Sequence, residues 1–427
     1  MASGLNHYAR LGIPGDADVE EIRQAYFEAA RRYHPDANPI GNTADAFLQV
    51  QEAYDVLSHS GKRQQYNETL PAEIFQSPPV SLKFQGSRTR LERLPEDQIV
   101  YTLIDLSVTS PVDRQTAPSL NLCMVLDRST SMQGERIDMV KANTVKLIEQ
   151  MRPADILSIV SFSDFAEVLL PPTRVSELRH VTSRLNQLVP GGSTEIYRGL
   201  SLGFDQVFQN LDPSRINHLI LLTDGRTYGD EADCLEIAEQ AYHQGVGISI
   251  FGIGGEWNDV FLDRLANVAG GSSAYIAVPK DLQHFILEKY AHLGTIYAER
   301  VTLDMQSDPT VELRYAFRLQ PETGELITGS PIRMGNLVQS NSMLVVLEFL
   351  VHPVPKSVDS ISLGKGVLKF ETPSRAIPNV RVKFDLRCPV LDEPVHERPP
   401  TSILKAISRL SLYRIQDRAR EEVKTGA

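Results

Sequence analysis

Hydrophobic positions along the chain change period three times, and each change marks a different kind of structure. From Asp18 to Tyr33 the apolar residues Val19, Ile22, Tyr26, Ala29, Ala30 and Tyr33 recur at helical spacing, and Ala46, Phe47, Val50, Tyr54 and Leu57 repeat the pattern. Two such helices predict an antiparallel hairpin, joined by a connector carrying His34-Pro35-Asp36. Pro35 cannot continue a helix, so it stops the segment and fixes the His and Asp on an exposed turn. Residues 71–79 are proline-punctuated and read as a linker. The period then shortens: Val80, Leu82 and Phe84 alternate with polar residues, and Ile99 to Val108 is a strong β run. Such strands cannot be stable alone.

Between residues 116 and 296 strands alternate with helices. Apolar runs at Leu120–Leu126, Ile156–Phe162, His218–Leu222 and Val246–Ile253 are separated by helical patterns at Arg136–Met151, Tyr197–Asn210 and Val260–Ala269. This alternation predicts a mostly parallel, doubly wound sheet with helices on both faces. Beyond Arg300 the helical period disappears. Val301–Met305, Val311–Tyr315, Ser342–Phe349 and Val380–Leu386 alternate between Pro/Gly turns, which predicts an antiparallel β-sandwich. Because the strands of 80–115 lack a partner, they are expected to pair with 298–395, leaving the α/β domain inserted within the sandwich. The chain ends in an apolar stripe of Ile403, Leu404, Ile407, Leu410, Leu412 and Ile415 backed by Lys405, Arg409, Arg414, Arg418 and Arg420, a helix expected to dock on its own protein. The expected architecture is therefore multidomain. An all-α helical hairpin spans 1–70, a linker 71–79 and the first sandwich strands 80–115. The α/β domain spans 116–296, the rest of the sandwich 297–397 and the C-terminal helix 398–427.

Composition sharpens this picture by exclusion. The net charge of -11 argues against nucleic acid as a partner, since neutralising phosphates needs a basic surface. No apolar run reaches the roughly 18 residues of a membrane span, and the N-terminus has no basic-then-apolar leader. Three scattered cysteines read as reduced core residues. Together these lead us to expect a cytoplasmic protein.

The candidate chemistry lies at strand ends, where open α/β sheets place their ligands. Asp127, Ser129 and Ser131 follow the first α/β strand as D-x-S-x-S, Gly191-Gly192-Ser193-Thr194-Glu195 precedes a helix, and Thr223-Asp224-Gly225 follows the His218 run. Three loops thus offer carboxylates and hydroxyls, an all-oxygen set suited to a hard octahedral cation such as Mg²⁺ together with waters. Taken singly, either aspartate could as well cap a helix. Gly252-Ile253-Gly254-Gly255 lacks the full dinucleotide spacing, and no Walker loop, H-E-x-x-H or G-x-S-x-G is present, so no enzyme activity is expected.

Two segments resemble known families. The entry segment His7–Ile13, the helix bearing Arg23, Arg31 and Arg32, the His34-Pro35-Asp36 turn, the second helix and Lys62–Asn67 together resemble a J-domain of the DnaJ type. The resemblance implies that His34, Pro35 and Asp36, flanked by Arg31 and Arg32, contact a 70-kDa heat-shock chaperone (DnaK-type) and stimulate its ATPase. Asn67 departs from the family, which usually has Asp there. Asp127, Ser129, Ser131, Thr194 with Gly199 downstream, and Asp224 resemble the metal-ion-dependent adhesion site of a von Willebrand factor type A domain. That resemblance implies Mg²⁺ (or Mn²⁺ or Ca²⁺), hydroxyl ligands from Ser129, Ser131 and Thr194, aspartates acting directly or through water, and an open position completed by a partner's acidic residue. A co-chaperone that holds a protein partner and summons a chaperone is the expected function. The alternative is a scaffold whose metal joins subunits.

Overall fold

The structure, a computed structural model, describes residues 6–33, 44–70, 72–75, 79–109, 117–178, 181–212, 214–224, 229–254, 259–276, 278–339, 341–373, 379–394 and 397–425. The N-terminal module contains α1 (His7–Leu11), α2 (Val19–Tyr33), α3 (Ala44–Leu57) and α4 (Ser60–Asn67). Tyr8, Leu11, Ile13, Ile22, Ala25, Val50, Ala53 and Leu57 form its buried core. Asp18 and Glu21 bond each other's backbone N–H groups reciprocally at the start of α2, satisfying donors that the helix leaves free. Arg63 of α4 donates to the Tyr8 hydroxyl and to the carbonyls of Gly15 and Ala17, tying the last helix to the first. The segment expected to be pure linker contributes to this module. Its one aliphatic residue between prolines, Ile74, lies in a short 3-10 turn, Ala72–Phe75, and fills the same core.

The α/β domain is a six-stranded sheet in the order β6-β5-β4-β7-β8-β9. Its strands are β4 (Leu120–Asp127), β5 (Ile156–Phe162), β6 (Ala166–Arg174), β7 (Ile216–Thr223), β8 (Val246–Ile253) and β9 (Ser272–Ile276). All pairs are parallel except that of the edge strand β6 with β5. The principal helices are α5 (Glu135–Gln150), α7 (Ile196–Phe208), α8 (Glu231–His243), α9 (Asp259–Val268) and α10 (Leu282–Leu293), with a short α6 (Val181–Asn186) between β6 and α7. Two separate apolar clusters lie on the two faces of the sheet. Every residue of β4 is buried, which accounts for its apolar run from Leu122 to Leu126.

Two five-stranded sheets form the sandwich around this insertion. In the first, β3 (Gln98–Val108) lies between β1 (Val80–Gly86) and β14 (Met343–Val351), antiparallel to both, so strands from before the insertion pair with strands from after it. β11 (Val311–Gln320) and β12 (Gly324–Leu326) complete that sheet. The second sheet holds β13 (Ile332–Val338), β10 (Ile296–Gln306), β15 (Ser360–Glu371) and β16 (Asn379–Leu391), and a two-residue parallel strand, β2 (Leu91–Glu92), at its edge. The C-terminal helix α11 (Thr401–Thr425) covers the outer face of the first sheet. Ile403, Ala406 and Leu410 are buried there against Leu103, Phe317, Leu319 and Val346, whereas Leu404, Leu412 and Ile415 remain exposed. Among the described residues no helix is long and apolar enough to cross a membrane.

Candidate metal centre

At the carboxyl end of β4 the chain delivers Asp127 into the interior, 0% exposed. The carboxylate is fixed by two neutral donors: the Ser129 backbone N–H at 2.7 Å on Oδ1 and the Thr223 hydroxyl at 2.6 Å on Oδ2. Asp224, the residue after β7, has a buried side chain whose Oδ1 accepts the Ser131 hydroxyl at 2.7 Å and whose Oδ2 accepts the Arg136 guanidinium. Ser129 and Ser131 hydroxyl oxygens are 3.0 Å apart. Ser131 gives its single proton to Asp224, and the Ser129 hydroxyl also bonds the Asp127 carboxylate. This arrangement leaves lone pairs on both serine oxygens.

Thr194 reaches the same end of the sheet on a loop pinned from both sides. Gly191 N–H donates to the Arg128 carbonyl at 2.7 Å, Thr130 N–H to the Gly192 carbonyl at 3.1 Å, and Glu195 N–H to the Ser163 carbonyl at 3.0 Å. Gly192 has φ +85°, a conformation in which any other residue would be strained, and a Cβ there would meet the Asp164 carboxylate. Asp127, Ser129, Ser131 and Asp224 therefore form one hydrogen-bonded cluster, and the Thr194 loop is fastened to its edge.

The residues fit a hard divalent cation. Among the described residues no cationic side chain pairs with Asp127, and burial pushes its carboxyl up to about 6, helped by the nearby Asp224 and opposed by the bonds from Thr223 and Ser129. A buried carboxylate without a counter-charge is costly, and a dication is what removes that cost. No group of three or more His, Cys, Asp and Glu able to hold a metal exists among the described residues. A resident ion would hence depend on the hydroxyls.

The sequence assigned no role to two residues of the cluster. Thr223 lies in the candidate Thr223-Asp224-Gly225 loop but bonds Asp127, not its neighbour. Arg136, in the first turn of α5, carries no such signal, since its role depends on where the helix points its stem.

In the N-terminal module, His34, Pro35 and Asp36 lie outside the described residues. Arg31 and Arg32 are in the last turn of α2, their side chains likewise outside the description. The departure at Asn67 is accommodated: its carbonyl oxygen accepts the Tyr8 hydroxyl at 2.7 Å, a role that needs an acceptor and no charge.

Comparison with known proteins agrees with both halves. Residues 6–67 match the family model of the DnaJ domain, and residues 121–288 that of the von Willebrand factor type A domain. An uncharacterized protein of Synechocystis sp. is 26% identical over 270 residues, 61% of this chain and 64% of the relative. Chaperone protein DnaJ 2 of the same organism is 44% identical over 82 residues, 19% of this chain and 26% of the relative. The chain thus spans less than two thirds of the length of these curated relatives. A solved von Willebrand factor type A structure from Catenulispora acidiphila covers 74% of this chain and 75% of its own at a TM-score of 0.60 and 17% identity, a likeness of fold. The protein therefore joins a DnaJ domain at residues 6–67 to a von Willebrand factor type A domain at residues 121–288.

Proposed function

We propose that this protein is a J-domain co-chaperone that holds a protein partner at a divalent-metal site and recruits a 70-kDa heat-shock chaperone to it. The observation that carries the reading is the Asp127 carboxylate, buried without a cationic partner among the described residues beside Ser129, Ser131 and Asp224, on a chain that also has a DnaJ domain. Asp127, Ser129, Ser131, Thr194 and Asp224 would hold Mg²⁺, or Mn²⁺ or Ca²⁺ in its place. When bound, such an ion supplies an electrophilic open position for an acidic side chain of the partner.

The chain's own groups prepare that position. Thr223 and the Ser129 N–H orient Asp127, the Ser131 hydroxyl orients Asp224, and the backbone bonds of the 190–195 loop set the reach of Thr194. Neutral hydroxyls leave the ion underneutralised, which favours capture of an external carboxylate. On this reading the site is one for binding, with its hydroxyls serving to orient the carboxylates. By the same reading His34, Pro35 and Asp36, with Arg31 and Arg32, form the contact that stimulates the chaperone's ATPase, and the protein acts in the cytoplasm alongside that chaperone.

The test has two arms. Wild-type protein should accelerate ATP hydrolysis by a DnaK-type chaperone and His34→Gln should not. In pull-downs Mg²⁺-dependent capture of a partner should vanish in Asp127→Ala/Asp224→Ala. Retained stimulation by His34→Gln would refute the co-chaperone half. A chelator that dissociates an oligomer of the protein without touching stimulation would replace partner capture with a scaffold function.

A further inference from the structure

The two aspartates of the site are neutralised in different ways, although they sit at the ends of adjacent strands. Asp127 has no cationic partner among the described residues, whereas Asp224 has Arg136. The Arg136 Nη1 donates both to Asp224 Oδ2 and to the Ser131 carbonyl, the latter at 3.2 Å. Its guanidinium lies over the end of β8, where a Cβ on Gly254 would come within 3.0 Å of Nη2. The fork is therefore seated between two strand ends and not merely extended into solvent. Its stem is 38% exposed, while the Asp224 side chain is 0% exposed. The arginine can leave toward water; the aspartate cannot.

From this geometry we infer that Arg136 is a built-in counter-cation, which neutralises Asp224 in the metal-free protein and must release it for a divalent ion to be held. The inference rests on the metal reading of the site and adds what sets its affinity. Electrostatics favours that release. Two carboxylates and one guanidinium leave the metal-free cluster one negative charge in excess. A dication added with Arg136 still in place would put two positive centres against the same carboxylate, and like charges at such separations repel strongly in a partly buried site. Release of the arginine leaves Asp224 free, with Oδ1 still oriented by Ser131. Arg136 thus keeps the cluster folded without metal and opposes adventitious loading.

The experiment titrates the full-length protein with MgCl₂ by calorimetry, for wild type, Arg136→Gln, Arg136→Lys and Asp127→Ala, and records thermal melts with chelator and with saturating Mg²⁺. Arg136→Gln should bind Mg²⁺ about tenfold more tightly, the order expected when a partly exposed charge-assisted bond no longer competes. It should also melt lower in chelator and gain more from Mg²⁺ than wild type does, because ligand-free stability is lost while linkage to the ion grows. Arg136→Lys, which keeps the charge and loses the fork, should fall between. If Arg136→Gln binds equally or more weakly while wild type binds and Asp127→Ala does not, Arg136 only orients Asp224 and the inference is wrong. If none of the four proteins binds Mg²⁺, the metal reading itself falls, and the counter-cation role with it.

Discussion

The type A domain and the DnaJ domain are fastened to the same β-sandwich by different chemistry. At the first joint, Arg333 of β13 reaches α8, bonding Glu239 at 2.8 Å with its guanidinium 3.9 Å from the Tyr242 ring centre. Arg300 of β10 bonds both Glu371 and the Tyr242 carbonyl, and Lys289 of α10 bonds Glu322, in the turn between β11 and β12, at 2.8 Å. β10 itself follows α10 directly, so the backbone crosses the joint without a spacer. At the second joint, Lys383 of β16 lies 2.8 Å from Glu21 and 3.6 Å from Asp18, with its side chain 65% exposed. These are the ion pairs that bridge the DnaJ domain and the sandwich among the described residues. Exposed pairs contribute about 0–1 kcal/mol and are screened by salt, whereas stacked, half-buried arginines hold geometry. The difference teaches that the type A domain is tied to the sandwich as one unit, while the DnaJ domain is held to that unit by an exposed, salt-sensitive contact.

The largest test of this contrast is a cavity in the shared body. Phe349 is 0% exposed in the sandwich core, and Phe349→Ala should cost about 3–5 kcal/mol. Hydrogen exchange should then accelerate across β3, β11 and β14, with the slowest amides of the type A domain following, while those of α2 and α3 keep wild-type protection because their core shares no residue with the sandwich. Parallel loss of protection in the DnaJ domain would mean that the two joints are alike.

A smaller effect comes from pH. Burial alone would raise the Glu322 carboxyl, but the Lys289 ammonium and the Arg318 guanidinium outweigh it, with hydrogen bonds from Lys289 and Ser272, and hold it at about 2. A depressed carboxyl contributes stability that is complete above its unfolded value near 4.5 and is lost as pH falls toward 2. The loss should be roughly 2 kcal/mol, discounted for the partial exposure of the group. Denaturation between pH 5 and 2.5 should show that slope in wild type and a shallower one in Glu322→Gln. Equal slopes would remove Lys289–Glu322 from the joint.

How much of this was legible in the sequence depended on whether a feature is local in the chain. β4 could be read because it is buried on both faces and so apolar from Leu122 to Leu126, and because that run stops at Asp127. β6 could not: it is an edge strand with mixed burial that contains Pro171 and Pro172, tolerable only where a neighbouring strand is missing. β15 likewise hides behind Gly364 and Gly366, which read as turn residues. Asp127, Ser129 and Ser131 announce themselves by spacing within one loop. Thr223 and Arg136 act on aspartates in other segments, and only the pairing of β4 with β7 and the direction of α5 bring them there. The Arg333 and Arg300 contacts are of the same kind, each linking residues far apart in the chain.

The smallest expected effect tests the weak joint itself. Lys383→Glu sets a third acid beside Asp18 and Glu21, turning attraction into repulsion without disturbing the reciprocal backbone bonds those two residues make at the start of α2. Because the pair is exposed, global stability should change by less than about 1 kcal/mol. The arrangement of the domains should change more than the stability does. Small-angle scattering of Lys383→Glu should show a larger radius of gyration than wild type at low salt, and wild type should approach the variant as salt screens its own contact. An unchanged scattering curve would mean that Lys383 does not hold the DnaJ domain in place. The domain would then owe its position to the packing of the Ala72–Phe75 turn, where Ile74 already ties the chain to the helical core.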